Sequence, residues 1–284
     1  MQNVIPDSSK QIFRDIYPHR PARIAHGFAD HPLLTLDALA ALAARMRPDT
    51  LEHNAAIDVP LGTPTTKLPP NGLTTLQTIE QIESCGSWVL LREIEQDPAY
   101  AALMADVLGE VRPIIEARTG RMHKLRAFVF ISSPHAVTQP HFDPEYNILF
   151  QAHGRKTVTL FPTADEQIVG QRFFESYFAG GQRYLPWREE HGLRGQAIAI
   201  EPGESIFVPL FAPHHVKVHA DVSVSLSLTW CSAWSFAAID AHKFNARLRR
   251  LGLSPAAPRM FPAGNRIKAL GERAAERLER MAAR

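Results

Sequence analysis

The sequence predicts a mainly β protein with flanking helices: a double-sheet jelly roll or barrel set between N-terminal and C-terminal helical segments. Three observations carry this. Short apolar stretches of β character follow one another at 125–132, 147–151, 157–161, 197–201, 205–209 and 221–230. The last alternates Val222, Val224, Leu226 and Leu228 with Ser223, Ser225, Ser227 and Thr229, the period of a strand with two different faces. Helical periodicity is read before and after this block, at 35–47, 97–118 and 265–283.

The elements follow in order. Residues 35–47 predict a helix with Thr35 as N-cap and Leu36, Leu39, Leu42 and Met46 on one face. Residues 55–75, rich in Pro, Gly and Thr, read as loop. Residues 97–118 predict a second helix, capped by Asp97, opened by Pro98 and kinked at Pro113. Pro202-Gly203 predicts a tight turn between two strands. The strands are interrupted at 171–196 by an insert rich in Arg, aromatics and Gly. It reads either as a surface loop or as a lid over the barrel mouth, with Arg172, Arg183, Tyr184 and Trp187 as candidate substrate contacts. After Trp234 the chain turns helical, and Ile267, Leu270, Ala274, Leu278 and Met281 form an apolar stripe over 265–283. That stripe must bury against the protein's own barrel or a second subunit; a homodimer through these C-terminal helices is the expectation. The chain is thus expected to divide into an N-terminal helical and loop segment (1–120), a barrel (121–236) and a C-terminal helical extension (237–284).

Composition narrows the function classes. The 284 residues are 45% hydrophobic and 21% charged, an ordinary globular profile, with a formal net charge of +2. That balance gives no global attraction to nucleic acid, and Glu272, Glu276 and Glu279 break up the basic C-terminal region. Cys85 and Cys231 form neither a disulfide framework nor a CxxC metal motif. No stretch approaches the about 20 apolar residues that span a bilayer, and the N-terminus lacks a signal-peptide pattern. A cytoplasmic protein with no nucleic-acid or membrane partner is the default expectation.

The residues with the sharpest chemical meaning are His141, Asp143 and His214. Two imidazoles and one carboxylate can hold one face of an Fe(II) octahedron and leave the other open to substrate and O2. His141 and Asp143, at i and i+2 on a strand, would point to the same side. His214, in an apolar setting between Pro209 and Val216, would come from another strand. By spacing alone the three read equally well as unrelated polar residues. A second His-x-Asp, His219-Ala220-Asp221, reads as a solvated turn. Lys156 opens the strand 157–161 behind Gly154-Arg155. It reads either as a snorkelling surface lysine or as the partner of an anion such as a dicarboxylate co-substrate, with the Thr138 hydroxyl beside it.

The stretch from Thr138 to Lys156, with Pro202-Gly203-Glu204-Ser205-Ile206-Phe207-Val208-Pro209, His214-His215-Val216 and Ser225-Leu226-Ser227-Leu228-Thr229-Trp230, resembles the core of JmjC, or cupin-like, 2-oxoglutarate oxygenases. It is most similar to the factor-inhibiting-HIF-like hydroxylase branch, over about 125–235. The resemblance implies a double-stranded β-helix fold and Fe(II) held by His141, Asp143 and His214. It also implies that Lys156 and Thr138 bind the 2-oxoglutarate carboxylate, that Asn147 lines the site and that His215 is structural. The implied activity is hydroxylation of a C–H bond in a peptide or protein side chain or a small metabolite, with N-methyl-lysine demethylation a further possibility. The other readings are a metal-dependent cupin isomerase or dioxygenase that needs no 2-oxoglutarate, and a non-catalytic ligand-sensing barrel. Two positions depart from the branch. Ala212-Pro213 stand where it often has aromatics before the distal histidine, and Leu228 stands where it often has Asn.

Overall fold

The computed structural model describes residues 4–163, 165–259 and 263–282. Eight antiparallel strands form the barrel: β4 (His123–Ser132), β5 (Val137–His141), β6 (Tyr146–His153), β7 (Lys156–Leu160), β8 (Gln196–Ile200), β9 (Glu204–Val208), β10 (His214–Val218) and β11 (Ser223–Cys231). They split into two facing sets, β9-β6-β11-β4 and β5-β10-β7-β8, the arrangement of a jelly roll. Three earlier strands, β1 (Ala22–Ala25), β2 (Leu51–Ala55) and β3 (Ser87–Arg92), extend the first set to the order β1-β9-β6-β11-β4-β3-β2.

The predicted strand stretches thus appear as β4, β6, β7, β8, β9 and β11, with ends shifted by one or two residues. The first hundred residues differ from the helical and loop segment expected, because they also supply β1, β2 and β3. β1 and β2 are four and five residues long and lie at the sheet's edges. β3, Ser87-Trp88-Val89-Leu90-Leu91-Arg92, is buried along nearly its whole length, so it has no alternation to read.

The helices before the barrel are α1 (Asp7–Ile16), α2 (Leu36–Ala43), α3 (Thr75–Glu80) and α4 (Pro98–Thr119). The Thr35 side chain caps α2 by accepting from the Ala38 amide. α2 stops at Ala43, short of the expected 47, because Pro48 holds Arg47 in an extended conformation. Asp97 caps α4 by accepting from the Ala99 amide at 3.0 Å, Pro98 opens it, and the helix runs on past Pro113. These helices pack on one face of the seven-stranded sheet. Val224, Leu226 and Leu228 of β11 and Val129 and Ile131 of β4 meet Phe13, Leu39 and Leu42 in the largest apolar cluster. Fully burying one such side chain is worth about 1.5–3 kcal/mol. The main core therefore lies outside the barrel, between sheet and helices.

The barrel interior is more polar. Ser225 donates to the Gln151 side chain, and Ser227 donates to Asn147 Oδ1 at 2.8 Å. A smaller apolar cluster, including Leu149, Val158, Ile200 and Ile206, fills the rest.

Within the insert lie α5 (Gln171–Phe178) and a 3-10 turn, Glu189–Arg194. After the barrel, α6 (Ala233–Arg250) and α7 (Ala263–Ala282) run side by side, tied by Arg247–Glu272 at 2.7 Å and Arg273–Asp240 at 2.8 Å. The stripe residues Ile267, Leu270, Leu278 and Met281 of α7 face outward, 65–76% exposed, so they do not bury on the protein's own barrel. No helix of the described residues is long and apolar enough to cross a membrane.

Candidate metal centre

β5 and β10 pair antiparallel and set His141 opposite His214, with ring centroids 4.3 Å apart. The register then slips: Val216 faces Thr138, so three β5 residues span what two β10 residues span. This bulge, at Gln139-Pro140, turns both His141 and Thr138 to the interior although they are three apart. Pro140 is tolerated because β5 is an edge strand.

Asp143 does not reach the site from a strand, as its i+2 spacing predicts; β5 ends at His141. Its loop is held in two other ways. The Asp143 carbonyl accepts from the Phe211 amide at 3.1 Å, which joins the two ligand-bearing segments directly. Phe142 is fully buried against Phe174 and Phe211, with centroids 4.8 and 6.1 Å away. Phe211 itself takes a positive φ of 61°, the bend that starts the approach to His214.

One ligand atom from each of the three residues lies within 4.8 Å of the others, and they form the one such group among the described residues. His141 Nε2 is 3.8 Å from Asp143 Oδ1, and His214 Nε2 is 3.8 Å from Asp143 Oδ2. Each Nδ1 faces a backbone carbonyl, His141 that of Gln139 at 2.8 Å and His214 that of Ala212 at 2.9 Å. A carbonyl only accepts, so each Nδ1 carries the proton and each Nε2 turns a lone pair inward. Burial, followed by the neighbouring His214, pulls the His141 imidazole down to about 3 against the opposing pull of Asp143, so it is neutral. Burial would raise the Asp143 carboxyl, but His141, Arg183 and His214 outweigh it and hold it below its ordinary value. Two imidazoles whose Nε2 atoms face inward and one carboxylate, all aimed at one point, are a donor set for a divalent transition metal.

Beside this triad opens a cavity of about 400 Å³. Thr138, Asn147, Arg183 and Tyr184 line it, as do Gln139 and Glu145. Gln139 Nε2 and Thr229 Oγ1, both buried on its wall, have no hydrogen-bond partner among the described residues.

Residues 87–233 match the family model described as a cupin-like domain. The chain belongs to that family. Among solved structures, Escherichia coli YcfD is similar at 16% identity, over 94% of this chain and 66% of its own, with a TM-score of 0.50. Two further structures of that protein, described as a ribosomal oxygenase, match at 15% and 16% identity, over 94% of this chain and 65% of theirs. Their TM-scores are 0.48 and 0.47, and the second holds cobalt and succinic acid. At such identities the likeness is one of fold, and the chain spans just under two thirds of those chains. No curated protein matches the sequence.

The other predicted residues of this cupin-like domain fall in different places. Lys156 is 3% exposed and opposite Val218 and Ile200. Burial alone accounts for the drop of its ammonium to about 7, with no carboxylate among the described residues to offset it. The snorkelling reading is therefore set aside. Asn147 accepts from Ser227. His215 points away from the site, onto Phe161 and Trp187. Of the candidate substrate contacts, Arg183 and Tyr184 reach the cavity, but two do not. Arg172 is on the exposed face of α5, and Trp187 packs against Phe161 and His191. His219 of the second His-x-Asp lies between β10 and β11 and bonds the Thr157 hydroxyl at 2.8 Å, away from any metal group.

Arg126, Glu145, Gln139 and Trp88 line the cavity without having been singled out in the sequence. Arg126 had a signal: Ala127, Val129 and Ile131 face the helices, which sends Arg126, Phe128 and Phe130 to the other side. Burial and then Asp143 raise the Glu145 carboxyl to about 7.

Proposed function

We propose that this protein is an Fe(II)- and 2-oxoglutarate-dependent oxygenase that hydroxylates a C–H bond, nearest to the factor-inhibiting-HIF-like branch. The observation that carries the reading is the pairing of a His-Asp-His face, two imidazoles and one carboxylate, with a buried lysine in the same barrel. His141, Asp143 and His214 would hold the metal through three positions and leave the rest free. Bound together, Fe(II) and 2-oxoglutarate would supply, with O2 as oxidant, oxidative decarboxylation of the keto acid to succinate and CO2, one oxygen atom ending in succinate and the other in the hydroxyl formed at the substrate C–H.

The chain's own residues prepare that chemistry. The two Nδ1–H···O=C bonds fix each imidazole's tautomer and orientation before metal arrives. Lys156 stands opposite Val218, four residues along β10 from His214, or about 13 Å. A five-carbon dicarboxylate and the lysine's four-carbon stem together span that gap. The far carboxylate would then supply the counter-charge Lys156 lacks, with Thr138 donating a hydroxyl hydrogen bond. Ser227 donates to the Asn147 carbonyl oxygen, which would leave the amide nitrogen to donate to the co-substrate. The rest of the cavity, walled by Trp88, Tyr177 and Tyr184, suits an amino-acid side chain of a peptide or protein, or a small metabolite.

Anaerobic addition of Fe(II) and then 2-oxoglutarate tests the reading. The expected result is a weak visible charge-transfer band and, on admitting air, succinate. Metal binding with no 2-oxoglutarate consumption, or turnover that survives Lys156→Ala unchanged, contradicts it. A peptide screen for a gain of about 16 mass units would then find the substrate. For the exposed α7 stripe we propose a second copy of this chain as the cover; Leu270→Asp with Leu278→Asp would convert the dimer to monomer in light scattering.

A further inference from the structure

The insert that interrupts the strands touches the segment Pro140–Asp143 of the metal centre at each of its four residues. The Leu185 amide donates to the Pro140 carbonyl at 2.8 Å, and Tyr184 bridges to His141 in β fashion. Phe142, between the two ligands of its segment, is packed by Phe174 and Tyr177 of α5. Arg183 Nη1 donates to Asp143 Oδ1 at 3.1 Å. Among the described residues Arg183 is the one arginine or lysine paired with that carboxylate, and it is half-buried over the Tyr184 ring.

A carboxylate ligand has two equivalent oxygens and free rotation about its last bond. A guanidinium that holds one oxygen leaves the other for the metal and removes that rotation. The guanidinium here comes from a segment that has no other charged contact with the triad and is anchored on the same strand edge.

We infer that Arg183 is a positioning residue of the metal centre, holding Asp143 in its ligating orientation, and that through it the insert and the metal stabilise each other. The inference rests on the metal-centre reading above. Its reciprocity follows from linkage: if docking of the insert strengthens metal binding, bound metal strengthens docking of the insert by the same factor.

The test uses Co(II), an air-stable probe with visible bands, on the full chain. The wild type binds one Co(II), and Arg183→Met weakens it about 10–100-fold, the usual effect of removing a partner that orients a ligand. Arg183→Lys, which keeps the charge but not the fork, recovers part of the loss. Hydrogen exchange across 179–188 slows on saturation with Co(II) in the wild type and does not slow in Arg183→Met saturated with the same ion. Should Arg183→Met fail to fold by circular dichroism, Arg183→Gln is judged by the same two readouts. A folded variant that binds Co(II) as tightly as the wild type, or whose insert is protected equally by it, overturns the positioning role alone. A wild type that binds no Co(II) overturns the metal-centre reading, and this inference with it.

Discussion

On its helix-facing side the seven-stranded sheet presents Val224, Leu226 and Leu228 of β11 to a core shared with Phe13, Leu39 and Leu42. On its other side the same strand presents Ser225, Ser227 and Thr229 to the barrel interior, where they bond Gln151 and Asn147 or border the cavity. A period of two thus separates stability from chemistry within nine residues. The helix-facing side excludes water around apolar side chains. The interior keeps polar groups and a lysine whose charge opposes folding, a cost carried by the large core beyond the sheet.

That contrast can be broken at several points. The largest effect falls on the interior side: His214→Ala abolishes tight binding of iron while the fold survives, read by anaerobic iron titration beside circular dichroism. On the helix-facing side, Leu226→Ala costs about 2–5 kcal/mol of unfolding free energy in urea and leaves metal affinity unchanged wherever the protein is folded. Lys156→Met sharpens the comparison, since it acts in opposite senses on the two properties. It removes 2-oxoglutarate binding, yet it stabilises the ligand-free protein. The folded ammonium titrates near 7 and the unfolded one near 10.5, so the unfolded chain binds more protons between those values. Stability of the wild type therefore rises with pH from about 7 to 10.5. The gain from Lys156→Met is greatest at and below pH 7, on the order of a few kcal/mol, and fades as pH approaches 10.5. Thermal melts across that range read it, and a gain independent of pH would contradict the assignment. The smallest effect is Ser227→Ala, about 1 kcal/mol from one buried hydrogen bond, with a weakened 2-oxoglutarate affinity as the Asn147 amide loosens.

The same contrast explains what the sequence could disclose. β11 was legible because its two faces differ so sharply, and α4 because Asp97 and Pro98 mark its start. β5 was harder: it is five residues long, contains Pro140 and carries a bulge. The approach of Asp143 was misjudged for the same reason, since its position depends on Phe142 and Phe211 meeting across the barrel mouth. The pairing of Arg183 with Asp143 spans 40 residues and leaves no local trace. Arg172 and Trp187 share the insert's composition with Arg183 and Tyr184, but only the folded path of the chain decides which of them turn inward. The burial of Lys156 likewise depends on its place between β10 and β8, which pairing alone determines.

X-ray absorption fine structure on the iron-loaded protein tests most directly whether the three side chains share one ion. The expected spectrum shows two imidazole shells with oxygen ligands in the wild type and one imidazole shell fewer in His214→Ala under forcing iron. A wild-type spectrum without imidazole scattering, or one unchanged by His214→Ala, would contradict the account.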